Sequence, residues 1–433
     1  MLPITVFIVF ILLIDIYTYK GLRTLLKKPV SPAVTVLFKT AFWLVPLMLF
    51  ASVAYLLYFR PEGPDTRVFN GHLYIIAFTM LFYLPKLVFI FFHLIEDIVF
   101  VSESAVLSVK SFFSKSRSRK IRGPRRSFLS RIGIVIAIIP FLAVIHGVAI
   151  GRFDFQVIEK ELEFEALPPA FDGFRIVHIS DLHLGSFHGY KDQVRQAVEI
   201  INRLEPDMIV FTGDLVNNFT SEADAFVGIL AGLEASYGKY SILGNHDYGD
   251  YHQWASEADK VQNMNDMLVI QEKMGFRLLM NEWDSIVING DKIAVIGVEN
   301  WGEPPFPQYG DLEKAMQGTE EFSLRLLLTH DPSHWDAEVL NQTGIELTLA
   351  GHTHGMQVGI ENSLIRWSPS KLKYPRWGGL YEETGQFLYV NRGLGYVAFP
   401  GRIGMPPEIT VIELRTFSED KKALPEENWM VRE

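Results

Sequence analysis

Residues 174–185 read FRIVHISDLHLG: an apolar, β-branched run that gives way abruptly to the polar cluster Asp181-Leu182-His183. Such a run predicts a strand, and the cluster a loop at its end. The arrangement recurs four times. Met208–Phe211 precedes Gly213-Asp214, and Tyr240–Leu243 precedes Gly244-Asn245-His246-Asp247. Leu324–Leu328 precedes the lone His330, and Leu347–Leu349 precedes Gly351-His352-Thr353-His354. Ends of parallel strands share one rim of a sheet, so residues distant in sequence converge there on a single pocket.

Between them the clusters offer Asp181, His183, Asp214, Asn245, His330, His352 and His354. Divalent first-row metals favour such mixed shells, in which hard oxygens hold charge and neutral imidazole tolerates softer ions. In a paired site about 3.5–4 Å across, one carboxylate has to bridge the ions and offset their repulsion. Asp214 suits that bridge, since a Gly-Asp turn at a strand end lets a short side chain reach both. Taken singly, His330 reads as a structural histidine and Asn245 as a turn residue. Taken together, the five blocks do not read as coincidence.

The pattern resembles the calcineurin-like metallophosphoesterase superfamily, whose blocks read D-x-H, G-D, G-N-H-[DE], H and G-H-x-H. All five occur here in order, over residues 170–415. The opening Asp-Leu-His-Leu-Gly and closing Gly-His-Thr-His-Gly are similar to the membrane-associated bacterial branch. Met356 departs from it, standing where relatives often carry a second glycine. The resemblance implies two divalent ions, with manganese, iron or zinc expected. Asp181, His183, Asp214 and His354 would hold the first ion; Asp214, Asn245, His330 and His352 the second. It also implies that His246 reaches the phosphoryl group, with Asp247 as its orienting partner. A histidine fits that role because its ordinary pKa lies near neutrality. Two such cations bring a bridging water to hydroxide near pH 7, and no covalent intermediate is needed. The chain has no cysteine to act as a thiol nucleophile.

Before residue 151 the chain changes character. Apolar stretches at 2–19, 34–59, 72–101 and 132–150 are each near or above the ~20 residues that span a bilayer as helix. The third is interrupted by Pro85 and Lys86 and ends at Glu96 and Asp97. The first is read as a span and not a cleaved signal: no basic residue precedes it and no small-residue cleavage site follows. The loops after the first and third spans are rich in Lys and Arg, whereas 60–71 balances Arg60 and Arg67 against Glu62 and Asp65. By the positive-inside rule the two basic loops are cytoplasmic and both termini lie outside the cytoplasmic membrane.

Charge divides the same way. Residues 1–150 carry 17 basic and 6 acidic side chains, the remainder 23 and 44. An acidic ectodomain repels long polyanions, so no nucleic-acid partner is expected. The basic third loop is read as holding anionic lipid headgroups. The absence of cysteine excludes disulfides without fixing a compartment.

The expected architecture is an all-α, four-helix transmembrane region over 1–150, a linker over 151–170, and an α/β metallophosphoesterase domain over 171–417. A polar tail follows over 418–433. Helices at 190–204 and 222–233, then strands at 284–288, 292–298, 386–390 and 409–414, read as two facing sheets. This agrees with the four-layer αββα sandwich that the resemblance implies. His188 and His334 read as rim residues and His178 as core. Two aromatic loops, 300–308 and 367–380, could wall a pocket or dip into lipid, and Arg392 and Arg402 could meet a phosphate. The expected activity is a membrane-anchored, dimetal phosphoester hydrolase acting outside the cytoplasm on a lipid-linked or envelope phosphodiester. A phosphatase or nucleotidase for soluble phosphomonoesters fits the same residues. So does a sensor or transporter worked by the helices, for which Lys86 is the one mid-membrane charge; Asp15, Lys39, Glu96 and Asp97 are placed near the expected cytoplasmic ends of the spans.

Overall fold

The computed structural model describes residues 2–25, 31–58, 66–113 and 127–417. They form two compact units that divide near Ala149.

The first unit holds four helices: α1 (Leu2–Leu25), α2 (Pro32–Tyr58), α3 (Thr66–Phe113) and α4 (Phe128–Ala149). Each is long and apolar enough to cross a membrane. The third differs from its expected form, because the helix runs unbroken through Pro85 for 48 residues. A proline inside a membrane helix is tolerated where neighbours and local adjustment satisfy the freed carbonyl. At 1.5 Å per residue α3 is about 72 Å long, well over the ~30 Å hydrocarbon core. Glu96 accepts from Leu129 N (3.0 Å) and Ser130 N (3.2 Å) and so caps the start of α4. The helix continues beyond that level.

Lys86 is not an isolated charge. Its Nζ meets Asp15 Oδ1 at 2.6 Å, and Tyr83 donates to Asp15 Oδ2 at 2.9 Å. Asp15 is fully buried. Asp15 and Lys86 therefore lie at one depth, so a mid-membrane Lys86 and a span-end Asp15 do not both hold. The basic residues of the third loop beyond Lys110, apart from Arg131, and the tail 418–433 fall outside the described residues.

Among the described residues the second unit has fourteen strands. The first five are β1 (Gln156–Phe164), β2 (Arg175–Ile179), β3 (Met208–Phe211), β4 (Lys239–Ser241) and β5 (Arg277–Leu278). Then come β6 (Glu282–Ile288), β7 (Asp291–Gly297), β8 (Arg325–Leu328), β9 (Leu347–Ala350) and the hairpin β10 (Ile360–Glu361) with β11 (Arg366–Trp367). The last are β12 (Gly379–Glu383), β13 (Gln386–Val390) and β14 (Glu408–Thr416). Two six-stranded mixed sheets result, ordered β1-β14-β2-β3-β4-β5 and β12-β13-β9-β8-β7-β6.

The sheets face one another across a shared core. Ile176, Val210 and Ile412 of the first pack with Val295, Leu326 and Leu349 of the second. Helix Glu257–Lys273 packs on β5, and Leu312–Met316 on β6 and β7. The helix expected at 190–204 is observed at Lys191–Arg203, with Val194, Ala197, Val198 and Ile201 buried at helical spacing. The one expected at 222–233 shrinks to Val227–Leu230. Residues 151–170, read as a linker, contribute the edge strand β1, paired in parallel with β14. The order that matters for the site is the parallel run β2-β3-β4 in one sheet and β8-β9 in the other. Their C-terminal ends carry the five polar clusters.

Candidate metal centre

The five loops close on a common pocket as two groups of nitrogen and oxygen atoms. In the first, His354 Nε2 lies 3.1 Å from His183 Nε2 and 3.2 Å from Asp181 Oδ1, and His183 Nε2 lies 3.5 Å from Asp214 Oδ2. In the second, His330 Nε2 is 3.2 Å from Asp214 Oδ2, 3.1 Å from Asn245 Oδ1 and 3.2 Å from His352 Nδ1. The same oxygen of Asp214 belongs to both. Six of the seven side chains are buried, and His352 is half-buried. His246 also approaches, its ring edge-on to His183 at 4.9 Å, so that His183, Asp214 and His246 form a third possible ligand group.

The backbone is strained where the ligands sit. Asp181, His183, Asp214, His352 and His354 all have φ between 46° and 72°. Each left-handed non-glycine residue costs on the order of 1–3 kcal/mol, and such strain persists where surrounding structure over-determines it. One determinant is Asp181, whose two oxygens accept His352 N at 3.2 and 2.9 Å, tying the first block to the last. Gly351 is required at that junction, because a Cβ there would run into Ser180 Oγ and Asp181 Oδ2.

Electrostatics ask for positive charge in the pocket. Burial works to raise both carboxyls, yet His354 and His330 hold Asp181, and His330, His246 and His183 hold Asp214, below the usual carboxylate range. For His330 burial opposes the charged form, but the Asp214 carboxylate overrides it and lifts the imidazole to about 10. His352 goes the other way, lowered to about 4 by burial. Hydrogen bonding gives the same answer. His330 Nδ1 donates to Thr212 O at 2.7 Å and so turns Nε2 towards Asp214 and Asn245, both acceptors: the raised imidazole holds a proton there, and a cation bound in the pocket would take that proton's place. Lone pairs crowded within 3.2 Å, in a pocket carrying two buried carboxylates, fit divalent cations.

The layer behind the ligands was only partly legible in sequence. Tyr374 Oη meets His352 Nε2 at 2.8 Å, leaving Nδ1 to face the pocket. Asn245 Nδ2 donates to Tyr251 Oη at 2.7 Å, so its Oδ1 points inward. Asp247, expected to orient His246, instead accepts four loop amides: Asp214 N, Leu215 N, Val216 N and Gly244 N, at 2.8–3.2 Å. The partner of His246 is the Asn217 carbonyl, which accepts from Nδ1 at 2.6 Å. Asn217 N in turn donates to Glu222 Oε2 at 2.6 Å. Tyr251, Tyr374 and Asn217 lie at no diagnostic spacing from the blocks; only the aromatic content around Tyr374 hinted at the site.

Other expectations divide. Phe306 and Tyr374 stand edge-on to His352 at 4.9 and 5.3 Å, so both aromatic loops wall the pocket. Arg392 is spent on Glu408 at 2.5 Å and on Glu361. Arg402 is fully buried and donates to the carbonyls of Arg392 and Gly393 and to His354 Nδ1. Neither arginine is placed to meet a phosphate, because the carboxylates and carbonyls around them already take their donors. His334 is buried, not at the rim: it bonds Thr329 Oγ1 and stacks on Trp301 at 5.0 Å. His188 is exposed. His178 is core, held by Thr212 Oγ1 at 2.9 Å and lowered to about 4 by burial.

Comparison with known proteins agrees with this geometry. Residues 174–356 match the family described as calcineurin-like phosphoesterase. The chain is 30% identical over 272 residues to an uncharacterized metallophosphoesterase, YkuE, of Bacillus subtilis, covering 60% of this chain and 86% of that protein. The chain belongs to the calcineurin-like phosphoesterase family. Residues 1–152 of this phosphoesterase match a probable calcineurin-like phosphoesterase transmembrane domain. It is 28% identical to a Danio rerio transmembrane protein with metallophosphoesterase domain, covering 69% of this chain and 66% of that one. The Bos taurus protein of the same description is 31% identical, with 60% and 57% covered. The phosphoesterase is thus a multi-pass membrane protein with four transmembrane helices and a dimetal-type His/Asp site.

Proposed function

We propose that this phosphoesterase hydrolyses a lipid-linked or envelope phosphate ester on the outer side of the cytoplasmic membrane. The observation that carries the hydrolytic centre is the sharing of Asp214 Oδ2 between the two ligand groups, at 3.5 Å from His183 and 3.2 Å from His330. Asp181, His183, Asp214 and His354 would hold one cation; Asp214, Asn245, His330 and His352 the other. Two divalent ions, if bound there, would supply hydroxide at neutral pH and neutralise phosphate charge.

The chain's own residues do the rest. His246 is fixed twice: its backbone N donates to Asp214 Oδ1 at 2.9 Å, and its Nδ1–H is held by the Asn217 carbonyl. With Nδ1 so engaged, Nε2 is the ring nitrogen left to meet a phosphoryl or leaving-group oxygen. Phe306 and Tyr374 wall the His352 side. The outward orientation is supported by the lysines and arginines of the first and third loops, and the lipid-linked class by the membrane anchor.

Three measurements test this reading. His246→Ala should lose turnover, by roughly 10²–10⁴-fold, while keeping both ions; loss of metal would move His246 into the coordination sphere. A reporter fused after Glu433 should be active only outside the cytoplasm, and cytoplasmic activity refutes the orientation. Full-length protein assayed with manganese against phosphomonoesters, phosphodiesters and phospholipids should favour the lipid substrates; preference for soluble monoesters would replace that substrate class.

A further inference from the structure

Beside the metal pocket the chain throws out a hairpin with an apolar outer surface. In the β10–β11 register Ile360 opposes Trp367 and Glu361 opposes Arg366. The second pair, itself exposed, is tied back to the unit: Glu361 bonds Arg392, and Arg366 donates to Gly378 O and lies over the Trp377 ring. The first pair is left outside, Ile360 at 52% and Trp367 at 46% exposure. The turn between them adds Leu364 at 90% and Ile365 at 52%, and the short 3₁₀ turn that follows adds Leu372 at 86%. Five large apolar side chains left exposed within thirteen residues are a departure from singly scattered surface apolar groups, and such grouping marks an interaction surface.

Charge decides the partner. The second unit is acidic, yet the one carboxylate within 356–380 is Glu361, which Arg392 and Arg366 neutralise. Lys371 and Lys373 flank Leu372. Exposed aliphatic and indole side chains with lysines alongside are the composition of a segment lying in an anionic bilayer interface, where lysine stems snorkel to the headgroups. The connection to the membrane helices is short, since only residues 150–155 separate α4 from β1.

We propose that the β10–β11 hairpin and the turn through Leu372 enter the outer leaflet of an anionic bilayer. The next residues, Lys373 and Tyr374, reach the pocket: Lys373 Nζ stands 4.4 Å from the Phe306 ring and Tyr374 bonds His352. A lipid headgroup then meets the metal centre from the leaflet in which its acyl chains stay. This inference deepens the lipid-linked reading given above and rests on it for its catalytic consequence, but the insertion itself is independent of chemistry.

The chain lacks cysteine, so Leu364→Cys carries a unique environment-sensitive fluorophore, and Ser236→Cys, at the opposite end of the strands, carries the control. Full-length protein is reconstituted into vesicles of phosphatidylcholine and phosphatidylglycerol. The label at 364 should be blue-shifted and quenched by lipids brominated on their acyl chains, and the label at 236 should not. A label at 364 as water-exposed as that at 236 overturns the proposal. So does one shielded from water but untouched by brominated lipid, which would mean a second copy or another protein covers the hairpin. In the catalytic arm, Leu364→Asp with Ile365→Asp should slow hydrolysis of phosphatidylglycerol or phosphatidic acid in the vesicles on the order of tenfold. Hydrolysis of soluble bis(p-nitrophenyl) phosphate should be unchanged. Insertion without any lipid hydrolysis keeps the surface and removes the lipid-substrate reading. Equal hydrolysis of lipid by wild type and double variant removes the catalytic consequence.

Discussion

Replacing Arg392 with methionine separates two roles that a single arginine near a phosphate pocket can have. In the structure its Nε lies 2.5 Å from Glu408 Oε2, and a second contact joins it to Glu361. Glu408 is almost wholly buried and also accepts Tyr389 Oη at 2.6 Å and Thr410 Oγ1 at 2.7 Å. Burial works to raise its pKa, but Arg392 and these hydroxyls hold it below the ordinary 4.5. Arg392→Met leaves that carboxylate buried and unpaired. Breaking a buried pair from one side costs about 3–5 kcal/mol, which for a unit of this size is a fall in Tm on the order of 10 °C. The sign of the pH dependence follows. A depressed folded-state pKa gives stability that is present above about 4.5 and lost as pH falls through the lower folded value. Removing Arg392 removes that contribution, so the gap between wild type and variant should be widest near pH 7 and close on acidification. Thermal unfolding of the full chain in detergent between pH 4 and 8 reads the gap, and KM for a soluble phosphodiester reads any contact with substrate. An unchanged Tm with KM raised tenfold would mean that Arg392 meets phosphate, refuting the structural role.

Other expectations concern groups away from the pocket's ligands. Glu222 is raised by burial to about 7, against the pull of the amides of Asn217, Phe219, Asn218 and Gly185. A raised folded-state pKa makes stability fall as pH climbs from 4.5 through 7, by up to about 3 kcal/mol, and Glu222→Gln should flatten that fall; parallel melting-versus-pH curves for the two proteins would contradict it. Lys86→Met should destabilise the helix unit by about 3–5 kcal/mol by stranding Asp15, and Asp15→Asn with Lys86→Met should recover part of the loss. Additive losses in the double variant would show that the pair is not coupled.

The strand-end blocks were readable because their chemistry and their fold signal coincide: each polar cluster follows a β-branched run, and rim convergence needs no further information. What lay beyond the sequence depended on partners brought from elsewhere. Asp247 follows His246 directly, yet its oxygens turn to the Asp214 loop, and the residue that orients His246 is Asn217, contributed through a main-chain carbonyl that no side-chain pattern records. His334 looked like a rim residue until Trp301, 33 positions earlier, covered its ring. The insertion of β14 between β1 and β2 was invisible for the same reason, since register between remote strands is set by tertiary packing. Pro85 reads as an interruption because propensity in water disfavours proline in helices, whereas the helix passes through it.

The most direct test of the two-metal centre is the metal content of purified full-length protein saturated with manganese, set beside its phosphodiester hydrolysis, for wild type and for Asp214→Asn. The shared-carboxylate arrangement predicts two ions per chain in wild type, and in the variant one ion or none with hydrolysis lost. Two firmly bound ions and undiminished hydrolysis in Asp214→Asn would contradict it.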